Sequence, residues 1–348
     1  MSAVRIGERA IGVGHAPYVV AEVGINHNGD LARALEMIRV AARAGCDAVK
    51  FQTFRAAEFV NDRAQLFTYR SQGREVTESM LEMFARHELP LSAWQAIRAE
   101  CAAAGITFFS TPQNASDLKL LLGLGVPCIK VGSDDFTNLP LLSEYARAGL
   151  PLILSSGMSD LADVHRALEC VGALDDHPTI LLVCTSQYPT PPADANLARI
   201  STLRSAFPQV PIGFSDHTRG PLASAVAVGL GAALLEKHFT LSHDLPGPDH
   251  WFSEDPQGLT EWVQSIREAA ALLGSPLVRP TAVERGNRLE YQRRLVAARD
   301  IHAGELIEQS ALTLRRVASG RGLPPAFITH LVGRPAPRAW RAGEPIEL

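Results

Sequence analysis

PIGFSD (211–216), PLASAVAVGLG (221–231) and AALLEKHFT (232–240) follow one another with only HTRG between the first two. The outer pieces are short, apolar and bounded by Gly or Pro, as buried strands are. The middle piece is an apolar helix of the length that joins parallel strands. A strand–helix–strand unit of this kind belongs to an α/β fold. The last piece carries a difficulty. Glu236, Lys237 and His238 stand in a row between Leu235 and Phe239, and burying unpaired charge is costly. Period-2 alternation separates them, putting Leu234, Glu236 and His238 on one face and Lys237 with Phe239 on the other.

The unit repeats towards the N-terminus. TILLVCT (179–185), PLILSSG (151–157), PCIKVGS (127–133), ITFFST (106–111), DAVKFQT (47–53) and YVVAEVG (18–24) read as strands, and helical patterns such as DLADVHRALECVG (160–172) and LARALEMIRVAARAG (31–45) alternate with them. GLTEWVQSIREAAALLG (258–274) closes the series. Eight strands, each followed by a helix, in about 260 residues predict a (β/α)8 TIM barrel over residues 1–274. A doubly wound sheet is the competitor, but no GxGxxG opens the first helix. The segment 55–90 is too long for a plain connection and reads as a lid over the barrel mouth. Residues 275–294 are polar and Arg-rich, a linker, and 295–348 form a small, mostly-β second domain with a thin core.

Composition narrows the functional classes. The chain has 348 residues and a formal net charge of −4, which offers no basic field for nucleic acid. No apolar run reaches the roughly 18 residues of a membrane span, and MSAVRIGERAIGVG lacks a signal-peptide core. A cytoplasmic chain without nucleic-acid or membrane partners is expected. The 5 cysteines form no CxxC pair and read as buried, reduced thiols. Of 33 basic residues only Lys50, Lys119, Lys130 and Lys237 are lysines, and they stand in apolar runs, where an ammonium needs a purpose.

Barrel enzymes place their chemistry at the C-terminal ends of the strands. The residues there are Glu22, Lys50 with Gln52, Ser110 with Thr111, Lys130 with Ser133, Ser155 with Ser156, Thr185 with Ser186 and Tyr188, Ser215 with Asp216 and His217, and Glu236 with His238. If Glu236 and His238 face inward they meet His217 on the next strand, about 4.8 Å away. Two imidazoles beside carboxylates suit Mn²⁺, Zn²⁺ or Fe²⁺ better than Mg²⁺ or Ca²⁺; hydrogen-bonded core histidines are the alternative. Lys237, on the other face, reads as a structural ion pair or a snorkelling side chain. Lys50 and Lys130 among hydroxyls read as a pocket for a compact, multiply charged anion. Among the other histidines, including His87, loop or surface positions are expected, with His27 and His250 set apart.

AEVGINHNGDLARALEMIRVAARAGCDAVKFQTF, FFSTP, IKVGS, LILSSGM, YPTP, GFSDHT, LLEKHFT and GPDHWFS occur in order along residues 18–255, and together they resemble the sialic acid synthases. VAARDIHAGELI and GRGLPP in the tail resemble the antifreeze-like (SAF) domain that follows the barrel in that family. The resemblance implies a metal-dependent condensation of phosphoenolpyruvate with N-acetylmannosamine or a related N-acylated hexose, giving a nonulosonate and phosphate. It implies catalytic roles for Glu22, Asp135, His217 and His238, with the two histidines holding a divalent metal, Mn²⁺ or Mg²⁺. It implies phosphoenolpyruvate contacts from Lys50, Thr111, Lys130, Ser133, Ser155 and Ser215. Gln52, Tyr188, Glu236 and Asp249 fall on positions around the sugar. Arg316, with Arg315 beside it, matches an arginine that a partner subunit supplies, implying a domain-swapped homodimer.

The departures from that family cluster at the sugar side. Asp134 and Asp135 replace a Gly-Glu pair, Ser186 stands for an Asn, Glu75 lies where another Asn is expected, and the tail reads Arg315-Arg316-Val317-Ala318. A related synthase acting on another aldose is therefore the alternative. A retired, sugar-binding barrel is disfavoured by the presence of Lys50, Lys130, His217 and His238.

Overall fold

The computed structural model describes residues 3–318 and 320–348. Its contacts divide the chain into two units, Met1–Gly274 and Ser275–Leu348. Among the described residues no helix is long and apolar enough to cross a membrane.

The first unit opens with an antiparallel pair, β1 (Val4–Ile6) and β2 (Arg9–Ile11). The eight barrel strands are β3 (Tyr18–Gly24), β4 (Ala48–Thr53), β7 (Thr107–Pro112), β8 (Ile129–Val131), β9 (Leu152–Ser155), β10 (Thr179–Cys184), β11 (Ile212–Asp216) and β12 (Leu234–His238). Between β4 and β7 stands an antiparallel hairpin of β5 (Leu66–Ser71) and β6 (Arg74–Ser79). All barrel strands run parallel in the order β7-β4-β3-β12-β11-β10-β9-β8, and β7 lies against β8, bringing the sheet close to a full circle. This is a (β/α)8 barrel. Helices predicted between the strands are present, as at Leu31–Arg43, where the Asp30 side chain accepts from the Arg33 N–H and caps the N-terminus.

Alternation sorts each strand. Val19, Ala21, Val49, Phe51, Leu181, Val183, Phe214 and Leu235 pack outward against the helices, in one continuous core. Val20, Ala48, Phe109, Ile153, Leu182 and Leu234 form a second cluster with Ile6 and Ile11 of the first hairpin, which plugs the bottom of the barrel. Gly213 belongs to the inward row because a Cβ there would strike the Leu234 carbonyl and the Leu182 side chain. Two residues further along, the inward row turns polar on every strand but β10, where Cys184 stands. The fold thus aims its polar side chains with the same period that fills its core.

Lys237 faces outward and is 2% exposed. Its ammonium lies 3.1 Å from Asp216 Oδ2 and 3.6 Å from Glu254 Oε1 and donates to the Thr218 carbonyl. It is the structural ion pair expected of it. The cysteines are free, and all but the partly buried Cys170 are buried.

In the second unit β13 (Arg294–Ala297) pairs with β14 (Leu312–Arg315). Its core gathers Leu295, Ile301, Ile307, Leu331, Trp340 and Ile346. The stretch read as linker holds a helix, Ala282–Tyr291, with no buried side chain. A capping box explains it: Thr281 accepts from Glu284 N–H while the Glu284 carboxylate accepts from Thr281 N–H. The helix's apolar side chains Val283, Leu289 and Tyr291 are exposed, and TAVE is the sequence signal that could have placed it.

Candidate active site

The ladder brings polar residues side by side at one end of the barrel. Ser215 is the register partner of Glu236, His238 of Glu22, Glu22 of Lys50 and Gln52 of Thr111. Lys50 Nζ stands 3.0 Å from Glu22 Oε2 and 3.4 Å from Glu236 Oε1, and it donates to Thr111 Oγ1 at 3.4 Å. Lys130 Nζ donates to Ser155 Oγ at 2.7 Å and the Val131 carbonyl at 3.0 Å, and lies 3.7 Å from Glu236 Oε1. Ser215 Oγ donates to the same Glu236 oxygen at 3.1 Å. Two ammoniums and two carboxylates therefore share one buried cluster. Each charge can be held out of water because its neighbours compensate it.

Position within the cluster sets each group's proton affinity. Burial pushes the Glu22 carboxyl up to about 7, against the pull of Lys50 and with help from the Glu236 charge. Burial also opposes ionisation of Glu236, but Lys130 and Lys50 together outweigh it and hold that carboxyl below the usual range. Burial lowers Lys130. For Lys50 the same penalty is overcome by Glu22 and Glu236, and its pKa rises. One carboxyl near neutrality beside one firmly ionised is a division suited to acid–base work.

The two histidines adjoin this cluster, with ring centroids 5.5 Å apart. His217 Nδ1 donates to the Thr185 carbonyl at 2.8 Å, which leaves Nε2 as the nitrogen able to ligate once deprotonated; burial opposes the ring's charge, but Cys184 and that carbonyl outweigh it and raise its pKa. Tyr188 packs 4.1 Å from the His217 ring, and Phe252 lies 5.2 Å from His238. Among the described residues His238 Nδ1 is buried without a hydrogen-bond partner, as is Glu236 Oε2. Burial, then the His217 charge, holds His238 well below the usual imidazole range, so it is neutral. Asp249 Oδ2 is 4.0 Å from His238 Nδ1, and burial raises that carboxyl to about 6. The neutral His238 imidazole, with a lone pair in want of a partner and His217 beside it, fits a divalent ion of borderline softness. Among the described residues no three His, Cys, Asp or Glu converge as a ready-made metal set, so substrate and water oxygens would complete the shell.

A cavity of about 620 Å³ opens over these groups. It brings together Glu22, Lys50, Gln52, Thr111, Lys130, Ser133, Ser155, Tyr188, Ser215, His217, Glu236, His238 and Asp249. One expected residue lies elsewhere. Asp135 is turned into a loop, where its Oδ1 accepts from Asn138 Nδ2 at 3.0 Å, and Asp134 lines the cavity instead. The strand ends at Val131, so alternation no longer governs which of the two aspartates faces in. Arg316 belongs to the second unit, where it is exposed just beyond β14. His87 is buried, against expectation, because it lies on the inner face of the helix Met80–His87, with Nδ1 against the Met83 carbonyl.

The segment 55–90 contributes side chains that sequence reading did not name. Phe59, Phe67, Tyr69, Arg70 and Phe84 line the cavity, and Phe67, Tyr69 and Phe84 pack on Ile25, Phe54 and Met83. The alternation in LFTYRS, followed by Gln72 and Gly73 at positive φ, is a hairpin signal that could have placed them. Cys184, Ser186, Trp251 and Phe252 also line it.

The NeuB family model matches residues 37–277. The chain belongs to the NeuB family. A SAF domain follows at residues 292–348. This NeuB-family chain is 39% identical to the N,N'-diacetyllegionaminic acid synthase of Legionella pneumophila, over 91% of its own length and 89% of that protein's. It is 34% identical to the human N-acetylneuraminate-9-phosphate synthase, over 94% and 90%. Among solved structures, an N-acetylneuraminic acid synthetase from Leptospira borgpetersenii in complex with citrate superimposes with a TM-score of 0.74 at 31% identity, over 82% of this chain and 95% of that one. The NeuB-family chain is an enzyme of this synthase kind.

Proposed function

We propose that this enzyme condenses phosphoenolpyruvate with an N-acylated hexosamine, yielding a nonulosonate and inorganic phosphate. The observation that carries the reading is the buried pair of ammoniums, Lys50 and Lys130, set among hydroxyls at the barrel mouth. Such an array suits a small ligand bearing both carboxylate and phosphate. The Ser133 hydroxyl, accepting from Gly157 N–H at 3.0 Å, and those of Ser155, Thr111 and Ser215 extend it. Names of relatives that end in a nonulosonate or its phosphate supply the product class.

Carbon 3 of the donor bonds to the aldehyde carbon of the open-chain sugar. Glu22, held near neutrality, gives its proton to the aldehyde oxygen. As a carboxylate it then takes one proton from the water that adds at carbon 2; the new carbon 2 hydroxyl becomes the keto oxygen as the carbon–oxygen bond to phosphate breaks, and its proton leaves on the phosphate. Proton and charge balance without a further reagent, and Glu22 is restored. His217 and His238 would hold a divalent metal, Mn²⁺ or Mg²⁺, which supplies Lewis-acid polarisation of the aldehyde oxygen when bound. Gln52, Tyr188, Glu236 and Asp249 surround the sugar in this reading. A domain-swapped homodimer in the cytoplasm, with Arg316 of one chain serving its partner's cavity, completes the proposal.

The test is phosphate release from phosphoenolpyruvate with a panel of N-acylated hexosamines, each with Mn²⁺, Mg²⁺ or EDTA. Phosphate is expected only when donor, acceptor and metal are all present. His217→Ala should lower the rate by about 10²-fold or more while phosphoenolpyruvate still binds. Silence across the panel would end the reading.

A further inference from the structure

The buried charges around Lys237 take no part in the condensation proposed above, and they stand on the face of β12 opposite His238. Asp216 is the register partner of Lys237 across the ladder between β11 and β12. Its Oδ2 lies 3.1 Å from the ammonium and accepts from Ser224 Oγ at 2.7 Å, and Ser224 Oγ in turn accepts from Trp262 Nε1 at 2.8 Å. Its Oδ1 accepts from Thr218 N–H at 2.8 Å and from Thr218 Oγ1 at 2.7 Å, so that Asp216 and Thr218 clasp the residue between them, His217. The ammonium donates to the Thr218 carbonyl and lies 3.6 Å from Glu254 Oε1. Glu254 joins the two sides. Its Oε1 accepts from Gly220 N–H at 2.9 Å, its main-chain N–H donates to the His238 carbonyl at 2.9 Å, and its carbonyl accepts from Thr240 N–H at 2.8 Å. One ammonium thus meets oxygens from both neighbours of His217 and from a residue bonded to the His238 backbone.

Stability alone is a weak reason for this network. Phe214 and Leu235, earlier on the same outward rows, are apolar and fully packed, and a buried ion network is often no more stabilising than apolar side chains of like volume. What the network adds is direction. An ammonium carries three N–H donors in a fixed array, and Asp216, Thr218 and Glu254 stand as its acceptors. We propose that Lys237 is a positioning residue: with Asp216 and Glu254 it locks the backbone at His217 and His238, holding the two imidazoles at a spacing that one divalent cation can bridge. The ring centroids stand 5.5 Å apart. The inference rests on the reading in which those histidines hold the metal. Ligands already in place need no ordering when the ion arrives, so the network acts on metal affinity.

The experiment measures Mn²⁺ binding to the full-length enzyme by the electron paramagnetic resonance of the free ion, and phosphoenolpyruvate binding in EDTA by calorimetry. Phosphoenolpyruvate is the internal standard because Lys50 and Lys130 stand on the inward row. In Lys237→Met, which keeps the length and removes the charge, the Kd for Mn²⁺ should rise about 10–100-fold while that for phosphoenolpyruvate stays within about twofold. Asp216→Asn keeps an oxygen for Thr218 and gives up the contact with the ammonium. It should raise the Mn²⁺ Kd by about tenfold, and it carries the test if Lys237→Met does not fold. Because both act through one contact, the double variant should bind Mn²⁺ no more weakly than Lys237→Met alone. A Kd reports the folded molecules, and the stoichiometry counts them. Unchanged Mn²⁺ affinity in Asp216→Asn overturns the positioning role and leaves the condensation standing. An equal loss of affinity for Mn²⁺ and phosphoenolpyruvate overturns it too, since the network would then support the barrel as a whole. Wild-type enzyme that binds no Mn²⁺ removes the metal from the reading, and the inference with it.

Discussion

Glu22 is a carboxyl that burial has moved to about 7, beside an ammonium that prevents it from rising further. In the proposed sequence it must begin protonated. The fraction in that form falls as pH rises through 7, so kcat/KM should decline along an alkaline limb with an apparent pKa near 7. Bound phosphoenolpyruvate adds negative charge nearby, which favours the proton and should carry the limb in kcat to higher pH. Glu22→Gln should lose about 10²–10⁴ in rate and, with it, this limb. A pH–rate series on both proteins decides the matter, and a limb that persists in the Gln variant assigns it to another group. Glu22, Lys50, Lys130, Glu236 and His238 were legible in the sequence because strand alternation fixes the inward row. Asp134 was not, because it follows the end of β8 and a loop has no period to read.

At the scale of elements, the barrel strands could be read within a few residues of their true ends. Asp135 was misjudged beyond a strand C-terminus, where the chain leaves the ladder to build the site, and His87 on the inner face of a helix. The lid was legible as a long insertion, but its hairpin was not named, and neither was its attachment. That attachment lies at Gly29, in the loop after β3. Gly29 has φ +70, and a Cβ there would collide with the Arg86 carbonyl in the helix that follows the hairpin. Only a residue without a side chain lets the helix sit so close. Gly29→Ala should destabilise the protein by about 1–3 kcal/mol, through strain and forced separation. It should also raise KM for the acceptor, because the displaced helix and hairpin carry Phe67, Arg70 and Phe84. Urea unfolding and acceptor kinetics measure the two effects. Gly29→Asn separates the causes: Asn tolerates the left-handed backbone but must still meet the carbonyl. If it matched wild type on both counts, close packing of the lid would not be the reason for glycine.

At the scale of the molecule, the chain is a barrel unit and a small unit with its own core. Most of the predicted site residues lie in the first unit, and Arg316 lies in the second, exposed. Sequence patterns report burial and period within a unit, and they carry no record of which chain a side chain serves. If Arg316 completes the cavity of a partner subunit, two defects should compensate each other. Lys50→Ala should leave a chain with no donor site but an intact tail, and Arg316→Ala one with an intact donor site but no acceptor arginine. Each alone should be nearly inactive with acceptor at low concentration. When the two are unfolded, mixed equally and refolded, half of the dimers are mixed, and one of the two sites in each has both residues. About a quarter of the wild-type activity should return. Service within one chain predicts something different, since every site would then carry one defect and mixing would restore nothing. A Lys50→Ala, Arg316→Ala double variant mixed with wild type gives the matching control. Its mixed dimers hold no doubly intact site under swapping, so activity should fall to about a quarter, whereas service within one chain keeps about a half.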